Sequence, residues 1–186
     1  AQMVRAVGVK GVHRLLDVGG GSGAYSIGFA EAAPSLRAEI FDLEAVLPIA
    51  RKHIDEAGVG ERVATRAGDL RTDEFGEGYD LVLLSSICHM LNPEENQDLI
   101  RRCYRALTPG GRIVIRDFIL EPDRTAPKFA ALFAINMLVG TKSGSTYTEA
   151  EYRSWIANAG FGDFQRPDLA GDLMVATRRN PASGGK

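Results

Sequence analysis

Cysteine, histidine and tryptophan are scarce in this chain, with two, three and one among 186 residues. Cys88 and Cys103 fall inside apparently regular segments without disulfide or zinc spacing, so both are expected to be reduced core thiols of a cytoplasmic protein. His13 and His53 fit no metal-ligand spacing, and no metal is expected. Charge of one sign is lacking too: 22 Lys and Arg stand against 24 Asp and Glu, a net charge of -2. Without a clustered basic excess, a nucleic-acid partner is not expected. The longest apolar run, residues 129–139, falls well short of the roughly 20 residues that cross a bilayer. It reads as a core helix or a pocket wall, and no membrane partner is expected. The first ten residues have neither an initiating Met nor the charged-then-apolar layout of a signal peptide, as in a fragment or a processed chain.

What is present is an ordinary globular composition, 45% hydrophobic and 25% charged, in a length that suits one α/β domain. Residues 13–18 form a short apolar run ending in glycines, and residues 24–33 have helical spacing stopped by Pro34. The alternation repeats with strands at 36–42, 62–67 and 79–85 and a helix at 44–57. A helix over 94–107 follows Pro93 and stops at Pro109-Gly110-Gly111, with the fifth strand at 112–119. Helices are predicted at 126–140 and 149–159, separated by a small polar segment at 141–147 that suits a lid or pocket loop. The last two strands, 161–166 and 173–177, are too close for a helical crossover and should pair antiparallel. The expected fold is a doubly wound, mostly parallel seven-stranded sheet closed by an antiparallel hairpin.

The strongest chemical signal is Asp17-Val18-Gly19-Gly20-Gly21-Ser22-Gly23, between the first strand and the first helix after it. Glycines there let a ligand approach the backbone, and free amides at the helix start favour an anionic group. Gly19-x-Gly21-x-x-Ala24 also satisfies the looser dinucleotide fingerprint, so the glycines leave an NAD(P)-dependent oxidoreductase open. Asp17 argues for another ligand: a carboxylate would oppose a pyrophosphate, yet suits the ammonium and sulfonium charges of S-adenosylmethionine. Asp42 ends the second strand where an acid meets ribose hydroxyls. Asp69 ends the third, placed to accept from an adenine amino group with Leu70 against the ring, or else to cap its own turn.

The series LLDVGGGSG, IFDLE, AGDL, LVLLSSICH and LTPGGRIVI resembles the class I S-adenosylmethionine-dependent methyltransferases over about residues 12–178. The glycine loop with FDL, GDL and a His after the fourth strand is similar, more narrowly, to small-molecule O-methyltransferases of the plant caffeate and flavonoid type and their bacterial polyketide-tailoring relatives. The resemblance implies a Rossmann-like domain over 12–178, preceded by a connector-helix remnant at 1–11 and followed by a flexible tail at 179–186. It implies cofactor contacts from Asp17, the Gly19, Gly20, Gly21, Ser22 and Gly23 loop, Asp42, Leu43, Asp69, Leu70 and Ser85. S-adenosylhomocysteine is then the product, and the acceptor a hydroxyl on a small aromatic molecule.

The family's general base falls on His89. An imidazole near pKa 6.5 suits proton removal from a phenol near pKa 10. The family's first supporting carboxylate falls on Asp117 and the second on Thr146, which cannot accept a proton. The family's Lys-Trp and Asp-Trp around this histidine are replaced by Ser85-Ser86 and Met90-Leu91. Weaker base catalysis would leave methyl transfer to near-attack positioning, and a SAM-binding domain without transfer activity stays open. Phe133, Asn136 and Met137 fall in the acceptor-contacting helix, while Tyr147 and Trp155 read as packing residues. The family's helical N-terminal region, which dimerises and closes the acceptor pocket, has no counterpart here, so a homodimer is expected only of the intact protein.

Overall fold

The computed structural model describes residues 2–167 and 172–180. Strands β1 (Arg14–Val18), β2 (Arg37–Asp42), β3 (Val63–Ala67), β4 (Tyr79–Ser85) and β5 (Leu107–Arg116) are parallel neighbours in one sheet. Two short strands, β6 (Ile119–Leu120) and β7 (Tyr147–Thr148), pair separately, and β8 (Phe161–Gln165) and β9 (Leu173–Arg178) complete the main sheet antiparallel. The strand order is β3-β2-β1-β4-β5-β9-β8, the expected doubly wound sheet with its closing hairpin. The chain winds outward from β1 to β3, then returns to lay β4 on the other side of β1. Between the carboxyl ends of β1 and β4 the winding reverses, and sheets of this kind open a crevice there.

Alternate side chains of each central strand enter opposite core layers, as a period of two requires. Leu15, Leu81 and Leu83 pack with helices α1 (Gln2–Val7), α2 (Ala24–Ala32) and α3 (Leu47–Glu56), through Met3, Phe29 and Ile54 among others. Leu16, Val82 and Leu84 pack on the other face with α4 (Pro93–Ala106) and α6 (Glu149–Asn158), through Leu99, Tyr152 and Trp155. Each fully buried side chain of this kind contributes about 1.5–3 kcal/mol, so β1 and β4, covered on both faces, are the best-anchored strands. Both cysteines are buried and unpaired, and burial pushes their thiols up, that of Cys103 to about 12. Among the described residues no helix is long and apolar enough to cross a membrane.

Several boundaries differ from the sequence reading. Helix α3 starts at Leu47 rather than residue 44, with Pro48 in its first turn, the position where a missing N–H costs nothing. Helix α4 ends at Ala106, and Pro109-Gly110-Gly111 lies inside β5 instead of before it. Leu107 pairs with Tyr79 and the ladder resumes at Arg112 with Leu81, so the Pro-Gly-Gly segment is accommodated by a register shift. The fifth strand also leaves the sheet earlier than residue 119. Asp117 turns the chain by accepting the Phe118 amide on its own carboxylate, and Ile119 and Leu120 peel off to pair with β7.

Helix α5 (Lys128–Gly140) corrects the core-helix reading of the apolar run. Only Ala130 of this helix is buried, whereas Phe129, Leu132, Ile135, Leu138 and Val139 are all more than half exposed. Of the tail expected at 179–186, residues 181–186 lie outside the described residues.

Candidate active site

A cleft of about 570 Å³ opens at the switch point. Its wall takes Asp17, Gly19, Gly20, Gly21 and Ser22 from the end of β1, and Asp42 with Leu43 from β2. Asp69 and Leu70 follow β3, and Ser85 ends β4. Ten of the eleven residues assigned to the cofactor from the sequence therefore share one cavity. Gly23 stands outside the lining, at the α2 cap with φ +76.

The glycine loop is held from two sides. The Gly21 amide donates to Asp42 Oδ2 at 2.8 Å, and Leu43 N donates to Oδ1 at 2.8 Å. From α3, His53 Nδ1 lies 3.1 Å from the Ser22 carbonyl; since a carbonyl only accepts, this nitrogen carries the hydrogen. Gly21 has φ +56, and nothing lies within 4 Å of where a Cβ would stand. A side chain there would be strained and would project into open space.

Asp17 is almost wholly buried, and the Ser26 hydroxyl donates to its Oδ2 at 2.8 Å. Burial, opposed by the Ser26 hydrogen bond and reinforced by Asp42, raises its pKa from 3.8 to about 6. Ionising Asp17 in the fold is thus costly above pH 6, whereas below 3.8 the carboxyl is protonated in both states. Stability should fall as pH rises between those values, by about 3 kcal/mol in all. An Asp17→Asn variant removes that term, so thermal melts from pH 4 to 8 should show its advantage over wild type growing with pH; parallel curves would contradict the assignment.

Asp69 both lines the cleft and caps its own turn, because Oδ1 accepts the Arg71 amide at 2.8 Å. The turn-capping reading is borne out, and the place in the cleft wall leaves the other carboxylate oxygen available to a ligand.

His89 sits in a buried 3₁₀ turn, Cys88–Met90. Its Nδ1 lies 2.7 Å from Asp117 Oδ1, while Asp117 Oδ2 accepts the His89 amide at 3.1 Å. A carboxylate only accepts, so Nδ1 carries the hydrogen of this bond, and Nε2 is the ring nitrogen left to face a ligand. Phe133 meets the imidazole edge-on with centroids 5.0 Å apart, and Phe118 lies at 5.8 Å. The pair adjoins the cleft through Ile87 and Met90, which line it, but His89 and Asp117 are not themselves in its wall. Thr146 does not reach the pair: its hydroxyl donates to the Ala130 carbonyl at 3.0 Å and ties down the start of α5. Met137 is half-buried and Asn136 exposed. Tyr147 and Trp155 are buried packing residues, as expected.

The turn carrying His89 is fastened by residues the sequence reading missed. Asn96, fully buried on α4, donates from Nδ2 to the Cys88 carbonyl at 3.0 Å and the Leu91 carbonyl at 3.3 Å. Tyr147 donates its hydroxyl to Leu91 as well. The Ser145 amide donates to the His89 carbonyl at 3.0 Å, so the 141–147 segment underpins this turn. A Cβ on Gly144 would stand 2.3 Å from the His89 carbonyl oxygen and 3.2 Å from Met90 Cα, both backbone atoms. Gly144→Ala should therefore displace the turn and destabilise the domain by about 1–3 kcal/mol, as overpacking does, read as a lower melting temperature. An unchanged melting temperature would show that the turn absorbs the methyl group without moving.

Other cleft residues missed by sequence reasoning are Tyr25, Gly68, Arg71, Ser86, Ile87, Met90 and Arg116. Most flank a recognised motif by one or two positions. Arg116 had no local signal; it reaches the cleft because β5 registers Arg116 against Ser85 of β4.

An O-methyltransferase domain model matches residues 1–162. The chain belongs to this family. A 3-hydroxy-5-methyl-1-naphthoate 3-O-methyltransferase of Streptomyces sahachiroi is 39% identical over 159 residues, covering 86% of this chain and 46% of that protein. An L-tyrosine C(3)-methyltransferase of Streptomyces lavendulae is 36% identical over 183 residues, covering 95% and 50%. Human N-acetylserotonin methyltransferase, solved in complex with S-adenosylmethionine, superposes with a TM-score of 0.85 at 28% identity over 96% of this chain and 51% of that one. This O-methyltransferase domain thus spans about half the length of the relatives it matches.

Proposed function

We propose that the domain binds S-adenosylmethionine in the switch-point cleft and, within the intact protein, transfers its methyl group to a hydroxyl of a small aromatic acceptor. The observation that carries this reading is the shared cavity of the glycine loop, Asp42, Asp69 and Ser85 in a chain of the O-methyltransferase family. When bound, the cofactor supplies an electrophilic methyl on a sulfonium. In this reading the loop amides and Asp17 take its amino-acid end, Asp42 the ribose hydroxyls, and Asp69 with Leu70 the adenine. His89 Nε2 removes the acceptor proton while Asp117 orients the ring and balances the imidazolium. Phe133, Asn136 and Met137 are assigned to the acceptor, whose relatives' namesakes are naphthoate, tyrosine and acetylserotonin.

A second reading has a specific observation behind it, the tyrosine C(3)-methyltransferase similar over 95% of the chain. The same deprotonation by His89 would place phenolate charge on the ring carbon beside the oxygen, so one site serves either atom. The exposed apolar residues of α5 support a homodimer of the intact protein, and the two buried thiols agree with a cytoplasmic location.

Titration with S-adenosylhomocysteine tests cofactor binding directly. At a hundredfold excess over Kd it should stabilise the domain by about 2.7 kcal/mol, a clear rise in melting temperature, whereas NAD should leave the melt unchanged. Stabilisation by NAD alone would return the oxidoreductase reading.

A further inference from the structure

We infer that Arg116 is a carboxylate-binding residue of the cleft, taking either the amino-acid carboxylate of the cofactor or an acid group on the acceptor. The inference rests on the cofactor reading of the cleft. Three carboxylates and two guanidinium groups line the cavity, and four of these five charged groups have partners. Asp17 is met by Ser26, Asp42 by the Gly21 and Leu43 amides, and Asp69 by the Arg71 amide. Arg71 lies 3.7 Å from Glu95 and 3.5 Å from the Met90 carbonyl.

Arg116 differs. Its side chain has one long contact, Nη1 to Ser86 Oγ at 3.4 Å, and forms no ion pair among the described residues. Asp172 has a carboxyl raised by burial and pulled back by Arg116, but no hydrogen bond or ion pair joins the two. A guanidinium has five N–H donors in a planar fork, so this half-buried group enters the cleft with most of its donors unpaired among the described residues. Its place is fixed: Arg116 is in register with Ser85, and its carbonyl accepts the Ser86 amide at 2.8 Å. Ser86 itself adopts φ +59, a left-handed conformation costly for a residue with a Cβ. In the cofactor reading Asp17 faces the ammonium, Asp42 the ribose and Asp69 the adenine, which leaves Arg116, the lining cation with no ion pair among the described residues, for a carboxylate, bound bidentate.

Calorimetry with wild type, Arg116→Gln and Arg116→Lys separates the two sources. One arm compares S-adenosylhomocysteine with 5′-methylthioadenosine, which lacks the amino-acid carboxylate. The other, run with S-adenosylhomocysteine saturating, compares 3-hydroxybenzoate with 3-hydroxybenzamide. Arg116→Gln should weaken one carboxylate-bearing probe about tenfold or more, with partial recovery in Arg116→Lys, and leave its carboxylate-free counterpart within twofold. The arm in which the loss occurs identifies the source. Unchanged S-adenosylhomocysteine affinity together with no Arg116-sensitive binding of 3-hydroxybenzoate overturns the inference. If wild type binds neither adenosyl probe, the cofactor reading fails first, a result distinct from a neutral Arg116→Gln.

Discussion

Replacing His89 by Ala should lower kcat/KM of the intact enzyme for a phenolic acceptor by about 10²–10⁴, the usual contribution of a positioned general base. Affinity for S-adenosylhomocysteine should change little, because His89 is not in the cleft wall. The proposed base role rests on the geometry of the pair. Asp117 takes both the His89 amide and Nδ1, and it is itself buried, so the free nitrogen is the one that can accept a proton. Asp117→Asn should be damaging as well, since the amide can turn its NH₂ toward Nδ1 and leave the hydrogen on Nε2. Full turnover by His89→Ala would remove the base, and methyl transfer would then rest on near-attack positioning. The closing of Phe118 and Phe133 over the imidazole would keep a role in either case, by excluding water from the acceptor side.

Asp42→Ala should have the complementary signature, a loss of cofactor affinity of about a hundredfold. In the free protein this carboxylate holds the Gly21 and Leu43 amides, and in the proposed complex it also meets the ribose. Hydrogen bonds to a charged group contribute about 1.5–3 kcal/mol each, so losing those proposed to the two ribose hydroxyls accounts for the effect. Asp42→Asn should be milder, because the amide oxygen still accepts one bond. Melting temperatures of both variants without ligand should fall by no more than a few degrees, because the two amides lie at a partly exposed loop where water replaces the carboxylate and the core is untouched. Binding of S-adenosylhomocysteine by Asp42→Ala within threefold of wild type would show that the loop is held by other contacts, chiefly His53 on Ser22 and the Gly19 amide on the Phe41 carbonyl.

The two variants probe opposite sides of the switch point, and their separation mirrors what was legible before any coordinates. The glycine loop and the acids at the tips of β2 and β3 could be read because each lies at the end of a short apolar run, within a few residues of a turn. Parallel strands with their crossovers bring such ends to one edge, so local pattern sufficed to place Asp17, Gly19, Gly20, Gly21, Ser22, Asp42, Asp69 and Leu70 in one cavity, whereas Leu43 and Ser85 came from family resemblance. Gly23 shows the limit: it belongs to the motif, yet its place is at the α2 cap. His89 and Asp117 were identified by family resemblance alone; nothing in their spacing announces a hydrogen bond across 28 positions.

Arg116, Asn96 and Gly144 had no such signal. Arg116 matters through its register with Ser85, Asn96 through two carbonyls of a turn on another element, and Gly144 through backbone atoms that a methyl group would strike. Helix α5 misled for a related reason. An apolar run reports that burial is favourable but not what provides the cover, and in this chain the run lies largely exposed.

By itself the sequence determined the alternation of strands and helices, the single-domain size, and the acids and glycines gathered at the strand ends, because periodicity and turn chemistry act over a few residues. Only the tertiary structure decided how strand register sets Arg116 beside Ser85 and Ser86, how the His89 turn is clamped from α4 and the 141–147 segment, and that α5 presents its apolar side chains to solvent. Those outcomes depend on contacts between residues far apart in the chain, whose free energy arises only once the sheet has brought them together.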